Sequence, residues 1–175
     1  MMSARLDPEE RARRAAVYRA IGDEFADAQV RGMEASAAEL FGWHIEREKI
    51  RARWRQFFGG WDVMIAPITL GPAFPHLELG ETPMLESARR TLEINGRTQP
   101  YQMQLFFPSI STLAGLPATA FPAGFSRDGL PVALQAIGPY LEDRTPLCFA
   151  GLLARELDGI RTPPRFADCA ESARQ

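Results

Sequence analysis

The spacing of apolar residues divides the chain into a helical first third and a remainder of strands and turns. Near the N-terminus, the segment Asp7-Pro8-Glu9-Glu10 offers an N-cap, a first-turn proline and acidic side chains at the positive end of the helix dipole. Apolar residues then recur at the three- and four-residue spacing of an amphipathic helix: Tyr18, Ile21, Phe25 and Ala28. The pattern predicts a helix that begins near Pro8 and buries this stripe.

A second helix is predicted over residues 35–58, again from helical spacing. Its apolar residues form two patches, Leu40, Phe41, His44 and Ile45 followed by Ile50, Trp54, Phe57 and Trp61. The charged sequence EREKIRARWR lies between them and mixes both signs at helical spacing. Such a run is more typical of a solvated helix face than of a binding patch.

The pattern of the remaining residues predicts strands joined by turns. Residues 62–66 are a short apolar run closed by Pro67, which predicts a strand buried on both faces rather than an edge strand. Asn95-Gly96 is a two-residue hairpin signal, and Arg127-Asp128-Gly129 joins predicted strands at 117–125 and 131–137.

Two further helices complete the prediction. One covers residues 102–114, with Pro108 as a candidate interruption. The other begins at Thr145-Pro146 and ends before Gly159. The side chains predicted to face inward from this last helix are Leu147, Ala150, Leu153, Ala154 and Leu157.

Charge and proline content predict how the chain is organised. Residues 1–60 hold half of the charged side chains but only one of the 14 prolines, so we expect a helical segment 1–60 and a strand-and-helix segment 61–175. A chain of 175 residues with 46% hydrophobic content falls within the size of one domain with its own core. We therefore expect the two segments to belong to one domain overall.

Composition also argues against several classes of partner. The 20 basic and 22 acidic residues give no basic field for nucleic acid, and no apolar run has the length of a membrane span. Cys148 and Cys169 lack a CxxC spacing and no secretory signal precedes them, so neither a disulfide framework nor a zinc site is indicated. We expect a cytoplasmic protein without a metal or cofactor.

Six segments, in order, resemble the C-terminal part of the amidase signature family, whose members hydrolyse or transfer small amides. The resemblance covers residues 54–166 and implies an α/β fold with a mixed sheet and flanking helices, here incomplete. The segments that carry it are FFGGWDVMIAPIT, INGR, LAGLPATAFPAG, DGLPV with LQAIGP, YLEDRTPL and TPPRF.

The family's catalytic residues do not map onto this chain. The resemblance implies a triad of a lysine, a serine held by a cis peptide and a nucleophilic serine in a glycine-serine-rich loop, all from the family's N-terminal portion. Lys49 is the single lysine here, inside a charged helix, and no GSS or SSG string is present. We therefore assign no catalytic residue in this chain.

Other side chains offer substitutes, and each has a structural alternative. Ser109 and Ser111 are candidate nucleophiles, but helix hydroxyls bonded to nearby backbone are the better interpretation. His44 and His76 are candidate bases. The alternative for His44 is a histidine packed on an apolar helix face, and the alternative for His76 is an ordinary surface histidine. Cys148 reads as a small buried hydrophobe in the last helix.

The C-terminal part of these enzymes contributes to the wall of the substrate pocket. On that resemblance the candidate substrate-binding residues are Tyr101, Leu105, Phe106, Phe107 and Gln135. A core role is the alternative for each. The related glutamyl-tRNA amidotransferase A subunits hold glutamine with polar residues near the equivalent helix, whereas QLFFPS is mostly apolar. The sequence thus favours a small apolar or aromatic amide.

The leading functional hypothesis is a C-terminal piece of an amidase that hydrolyses amides with a separate N-terminal chain carrying the triad. One alternative is a catalytically silent module that binds small molecules. Another is a truncated reading frame without a function of its own. Strands of the buried type that lack covering elements also predict a homodimer through an exposed sheet edge.

Overall fold

The computed structural model describes residues 6–76 and 89–157. The chain forms two compact units, one from residues 1–46 and 75–103 and the other from residues 47–74 and 104–175. The predicted division of the chain at residue 60 stays a prediction, and Cys169 and Gly159 lie outside the described residues.

Helix α1 of the first unit runs Pro8–Arg19 and begins where the sequence predicts. The Asp7 side chain accepts a hydrogen bond from the Glu10 N–H at 2.9 Å, which satisfies one of the N–H groups that a helix start leaves without a partner. Pro8 stands in the first turn, where a missing N–H costs nothing.

The predicted apolar stripe over residues 18–28 is wrong because the helix breaks inside it. Gly22 takes a left-handed φ of 70°, and Asp23 then caps a new helix, α2 (Glu24–Glu34), by accepting from the Ala26 N–H at 2.7 Å. Phe25 is consequently 38% exposed. The residues that α1 and α2 bury are instead Ala15, Ala26 and Val30.

Helix α3 spans Ala37–Phe57 and confirms the second predicted helix to within two residues at each end. A reciprocal capping box starts it: the Glu39 N–H donates to Ser36 Oγ at 3.2 Å, and the Ser36 N–H donates to Glu39 Oε2 at 2.8 Å. The Ser36 hydroxyl also donates to Glu39 Oε2, at 2.7 Å.

This capping box has a measurable pH signature. Hydrogen bonds from the Ser36 hydroxyl and then from its backbone N–H lower the pKa of Glu39. The contribution of the box to stability is therefore present above the unfolded-state pKa of a glutamate and is lost as the pH falls through the folded-state value. We expect Ser36→Ala to raise the Glu39 pKa towards its ordinary value in an NMR titration, while the control Ser109→Ala leaves it unchanged. An identical Glu39 titration in both variants would contradict the capping box.

Strands β2 (Thr91–Ile94) and β3 (Arg97–Pro100) form the hairpin predicted at Asn95-Gly96. Both turn residues have positive φ, 52° at Asn95 and 71° at Gly96, as a type I′ turn requires. A 3-10 helix, Tyr101–Leu105, follows. It lies where the sequence predicts the start of a longer helix.

The second unit contains a three-stranded antiparallel sheet of order β1-β5-β4, with β1 at Met64–Pro67, β4 at Ala118–Phe125 and β5 at Pro131–Ile137. Every strand pairing among the described residues is antiparallel. Strands β4 and β5 form the predicted hairpin, closed by a Gly129 φ of 74° and by the Ser126 N–H donating to the Leu130 oxygen at 2.8 Å.

The two faces of this sheet pack against different helices. On one face, a core cluster of Ala66, Ala114, Leu116 and Ile137 packs with the C-terminal half of α3 and with helix α4, Phe106–Ala114. On the other, Phe121 and Ala136 pack with Ala150 of helix α5, Arg144–Glu156. Central strand β5 is covered on both faces.

The prediction that residues 62–66 form a strand buried on both faces is wrong for the described structure. Among the described strands, β1 pairs with β5 alone and stands at the edge of the sheet, and Ile65 is 50% exposed. The apolar run alone does not tell how many neighbouring strands β1 has, and for this reason it did not predict the edge position.

The two predicted later helices are confirmed with changed details. Pro108 does not interrupt α4, because it is the third residue, where no intrahelical N–H bond is lost. Leu147 and Leu157 are exposed rather than inward, since α5 turns Phe149, Ala150 and Leu153 towards the sheet. None of the helices within residues 6–76 and 89–157 combines the length and the apolar character that a bilayer span requires.

Candidate functional site

The hydroxyls of the two candidate nucleophilic serines are hydrogen-bonded to the backbone of α4. Ser109 Oγ donates to the Phe106 oxygen at 2.6 Å, and Ser111 Oγ donates to the Pro108 oxygen at 3.1 Å. A serine attacks an amide only when a positioned base takes its proton. Here both hydroxyls donate hydrogen bonds to main-chain carbonyls instead, which confirms the structural interpretation of these hydroxyls.

The remaining candidates for proton transfer are scattered over the described residues. His44 is half-buried on α3, and His76 is exposed. Cys148 is exposed on α5, so its interpretation as a buried hydrophobe is wrong: Leu147 and Cys148 are both exposed, whereas Phe149 and Ala150 pack in the cluster against the sheet. Within residues 6–76 and 89–157, no three His, Cys, Asp or Glu side chains are grouped to hold a metal ion.

Three of the five candidate substrate-binding residues lie in sequence at the start of α4. Leu105 and Phe106 are 57% and 52% exposed, whereas Phe107 packs against the core cluster around Ile137. The rings of Phe106 and Phe107 meet edge to face, with centroids 5.2 Å apart. Phe107 thus anchors the helix start, and Leu105 and Phe106 present apolar surface to solvent.

Gln135 lies on the central strand β5 and is only 6% exposed. Its Nε2 donates to the Pro67 oxygen of β1 at 2.8 Å. In the part of the chain that the structure describes, no group donates to its Oε1. The cross-strand neighbours Ala66 and Ala120 are small, and Ala120 is exposed. Gln135 therefore retains one amide oxygen able to accept a hydrogen bond.

A second glutamine, which the sequence did not single out, holds the segment that follows β1. Gln104 Oε1 accepts a hydrogen bond from the Leu70 N–H at 3.2 Å. Residues 67–70 are thus fixed at one end by Gln135 and at the other by Gln104. The only sequence signal for Gln104 was a polar residue within an otherwise apolar QLFFPS segment.

Arg51 of α3 fixes the other end of helix α4. Its Nε donates to the Ala114 oxygen at 2.8 Å, and its guanidinium carbon lies 4.1 Å from the centre of the Tyr140 ring. Ala114 is the last residue of α4, where carbonyls lack intrahelical partners and a cation is favourable. This contact sets the position of the helix that begins with Phe106.

Tyr101, the fifth candidate, belongs to the first unit. Its ring lies under the Arg90 guanidinium, 4.4 Å from centroid to carbon, and its N–H donates to the Arg90 oxygen at 2.8 Å. The structure therefore gives Tyr101 a local role beside the β2–β3 hairpin, and its part in substrate binding stays a prediction.

The family model described as Amidase matches residues 12–147. The A subunit of glutamyl-tRNA(Gln) amidotransferase from Methylocella silvestris is 29% identical over 136 residues, which cover 75% of this chain and 25% of that protein. The human mitochondrial A subunit is 34% identical over 94 residues, covering 54% of this chain and 15% of that protein.

Solved structures share the fold. The crystal structure of an amidase matches with a TM-score of 0.52 at 24% identity, covering 76% of this chain and 28% of that one. An inhibitor-bound vestigial protein complex, described as revealing the origins of an s-triazine catabolic enzyme, matches with a TM-score of 0.57 at 23% identity, covering 78% and 28%. The predicted α/β amidase fold is confirmed.

These matches cover more of the chain than the sequence segments did, but they cover only part of each relative. The family match begins in α1, well before the segments that first suggested the family. The chain nevertheless spans only 25% and 32% of the length of the amidotransferase A subunits from Methylocella silvestris and Ralstonia nicotianae. Because one family model accounts for most of its residues, the chain belongs to the amidase family.

Proposed function

We propose that this chain is the C-terminal part of an amidase and takes part in amide hydrolysis only with a second polypeptide that supplies the triad. One observation carries the proposal: in a chain that the Amidase family model matches over residues 12–147, the hydroxyls of Ser109 and Ser111 are bonded to backbone oxygens, so neither is placed to attack an amide.

The proposed reaction divides the chemistry between the two polypeptides. The partner's serine oxygen bonds to the amide carbon, the lysine and second serine move the hydroxyl proton to the leaving nitrogen, and water later releases the acid. Backbone donors on the partner receive the developing oxyanion, which is usually a large part of the lowering of the barrier. This chain contributes binding and orientation rather than bond cleavage.

The contribution of this chain rests on two kinds of surface. Leu105 and Phe106 offer exposed apolar area for the acyl group of a small apolar or aromatic amide. Gln135 Oε1 would accept a hydrogen bond from the substrate NH₂, because its own Nε2 is held by the Pro67 oxygen. That arrangement orients the amide nitrogen without contributing to the proton transfer.

The names of similar proteins support a partner chain. The curated relatives are called amidotransferase subunits, and one solved structure is called a vestigial protein complex. Both names describe assemblies. We extend this to the present chain as part of the proposal.

A catalytically silent binding module is the second candidate. The Gln135 oxygen, which accepts no hydrogen bond from the described residues, lies on β5 opposite the exposed Ala120 and favours this candidate, since that feature needs no triad. A thermal-shift series with aromatic amides and the isolated chain tests this candidate, because a ligand that binds the native state raises the melting temperature. Gln135→Leu removes the acceptor and serves as the matched control.

Reconstitution tests the proposed amidase function. The probe is the part of the Methylocella silvestris A subunit that this chain does not match, co-expressed with this chain and assayed with benzamide and with glutamine. We expect turnover of benzamide by the mixture, and none by either polypeptide alone. Ser109→Ala and Ser111→Ala should leave turnover within about twofold, because their hydroxyls cap backbone carbonyls.

A matched control identifies the source of the nucleophile. Replacing the serine of the probe's glycine-serine-rich loop by alanine should abolish turnover. Turnover by the isolated chain would refute the division of chemistry, and a mixture that hydrolyses neither substrate would count against the amidase function itself.

A further inference from the structure

A cavity of about 540 Å³ in the first unit opens to solvent beside helices α1 and α2. Its lining residues are Arg19 from α1 and Glu24, Asp27, Val30 and Arg31 from α2. The volume lies within the range of sites for small molecules. None of these residues belongs to the surface proposed for the amide substrate, so a ligand here would be additional to the proposed function.

The charged groups of this cavity are separated along α2. Glu24 and Asp27 lie in the first turn of the helix, and Arg31 lies in the last turn. Because an α-helix rises about 1.5 Å per residue, the two acidic positions lie about 6 and 10 Å from Arg31 along the axis. Val30, which is 8% exposed, adds apolar lining at a position between them. The cavity therefore has an acidic end, an apolar middle and a basic end.

The charges at the two ends do not neutralise one another. Asp27 and Arg31 have the i,i+4 spacing at which opposite charges usually pair, yet within the described residues no ion pair joins them. In the same part of the chain, Glu24 forms no ion pair either. Arg19 differs, because its guanidinium is bonded to the Glu34 carboxylate. Two carboxylates and one guanidinium are thus available to a ligand.

We propose that this cavity binds a small zwitterion, an amino acid whose ammonium and carboxylate groups are joined by a short methylene chain. The ammonium group donates hydrogen bonds to the carboxylates of Glu24 and Asp27. The ligand carboxylate accepts hydrogen bonds from the Arg31 guanidinium, whose planar shape suits bidentate binding. The methylene chain lies against Val30.

The order of charges along the cavity favours this ligand over simpler ones. An anion alone or a cation alone would pair with one end and leave the opposite end without a partner. An α-amino acid carries both charged groups on one carbon and is too short to reach both ends. A ligand with separated charges satisfies both ends at once, and charge-assisted hydrogen bonds are roughly twice as strong as neutral ones.

Titration calorimetry of the full chain with δ-aminovalerate at low ionic strength tests the site. We expect saturable binding with a millimolar dissociation constant, because each exposed ion pair contributes little in water. Valerate lacks the ammonium group and pentylamine lacks the carboxylate, so each should bind about fivefold more weakly, near the upper limit for one exposed ion pair. Added salt should weaken the binding of δ-aminovalerate, because it screens both charged ends.

Two variants locate the binding. Arg31→Met should weaken the binding of δ-aminovalerate about fivefold. The matched control, Arg53→Met, removes an exposed arginine of α3 and should leave binding within about twofold. No saturable binding at millimolar ligand, or valerate and pentylamine that bind as well as δ-aminovalerate, would overturn the inference. Equal effects of the two variants would overturn it as well and would leave Arg31 only its favourable place near the helix C-terminus. Because the titration needs no second polypeptide, its failure would leave the proposed amidase function intact.

Discussion

Replacing Gly138 by alanine is expected to lower the free energy of unfolding by about 1 to 3 kcal/mol, the usual range for overpacking a core. A Cβ at position 138 would lie 2.5 Å from Pro146 Cδ, well inside van der Waals contact. Pro146 is fully buried and its ring is rigid, so it has little room to move. Gly138 itself is held by its N–H, which donates to the Pro117 oxygen at 2.9 Å.

Gly151→Ala is the matched control for this variant. Gly151 belongs to the same helix as Pro146, and a Cβ there meets no atom within 4 Å. Because alanine is the better helix former, this variant should gain up to about 1 kcal/mol. Urea denaturation of both variants measures the difference. Equal midpoints would show that the close approach of Gly138 and Pro146 does not limit the packing of α5.

Arg51→Ala is expected to cost about 2 kcal/mol, within the range for a hydrogen bond to a charged group that leaves its partner unsatisfied. The Arg51 side chain is only 12% exposed and links α3 to the last carbonyl of α4 and to the Tyr140 ring. Its removal leaves the Ala114 oxygen without this donor. Helix α4 would lose the contact that fixes its C-terminal end.

Two control variants identify the cause of that loss. Arg53→Ala removes an exposed arginine of the same helix and should change stability by less than about 0.5 kcal/mol. Arg51→Lys keeps the charge near the helix end but not the planar group over Tyr140, so it should fall between wild type and Arg51→Ala. Equal stability of the Arg51→Ala and Arg53→Ala proteins in urea would contradict the anchoring role.

Features encoded by neighbouring residues could be predicted from the sequence. The N-cap at Asp7 and the turns at Asn95-Gly96 and Gly129 each depend on a few adjacent residues, and the structure has all three. The break at Gly22 is also local but was missed, because a glycine followed by an aspartate is compatible with a continuous apolar period. Only the left-handed backbone at Gly22 shows that the chain forms two helices rather than one continuous helix.

Features that join distant residues could not be predicted. Arg51 reaches an oxygen 63 residues away, and Gln135 reaches one 68 residues away. Gln135 was proposed from the resemblance as a pocket residue, but which end of its amide is held depends on the register of β1 against β5. The edge position of β1 likewise depends on the number of its neighbours, which an apolar run of any composition leaves open.

Labelling with an active-site phosphonate tests most directly the claim that this chain shapes a binding surface but holds no nucleophile for amide cleavage. The reconstituted complex is treated with a serine-directed fluorophosphonate, and mass spectrometry locates the adduct. The account predicts an adduct on a serine of the partner polypeptide and none on this chain, whether alone or in the complex. A stoichiometric adduct on Ser109, Ser111 or any other serine of this chain, formed together with loss of turnover, would contradict it.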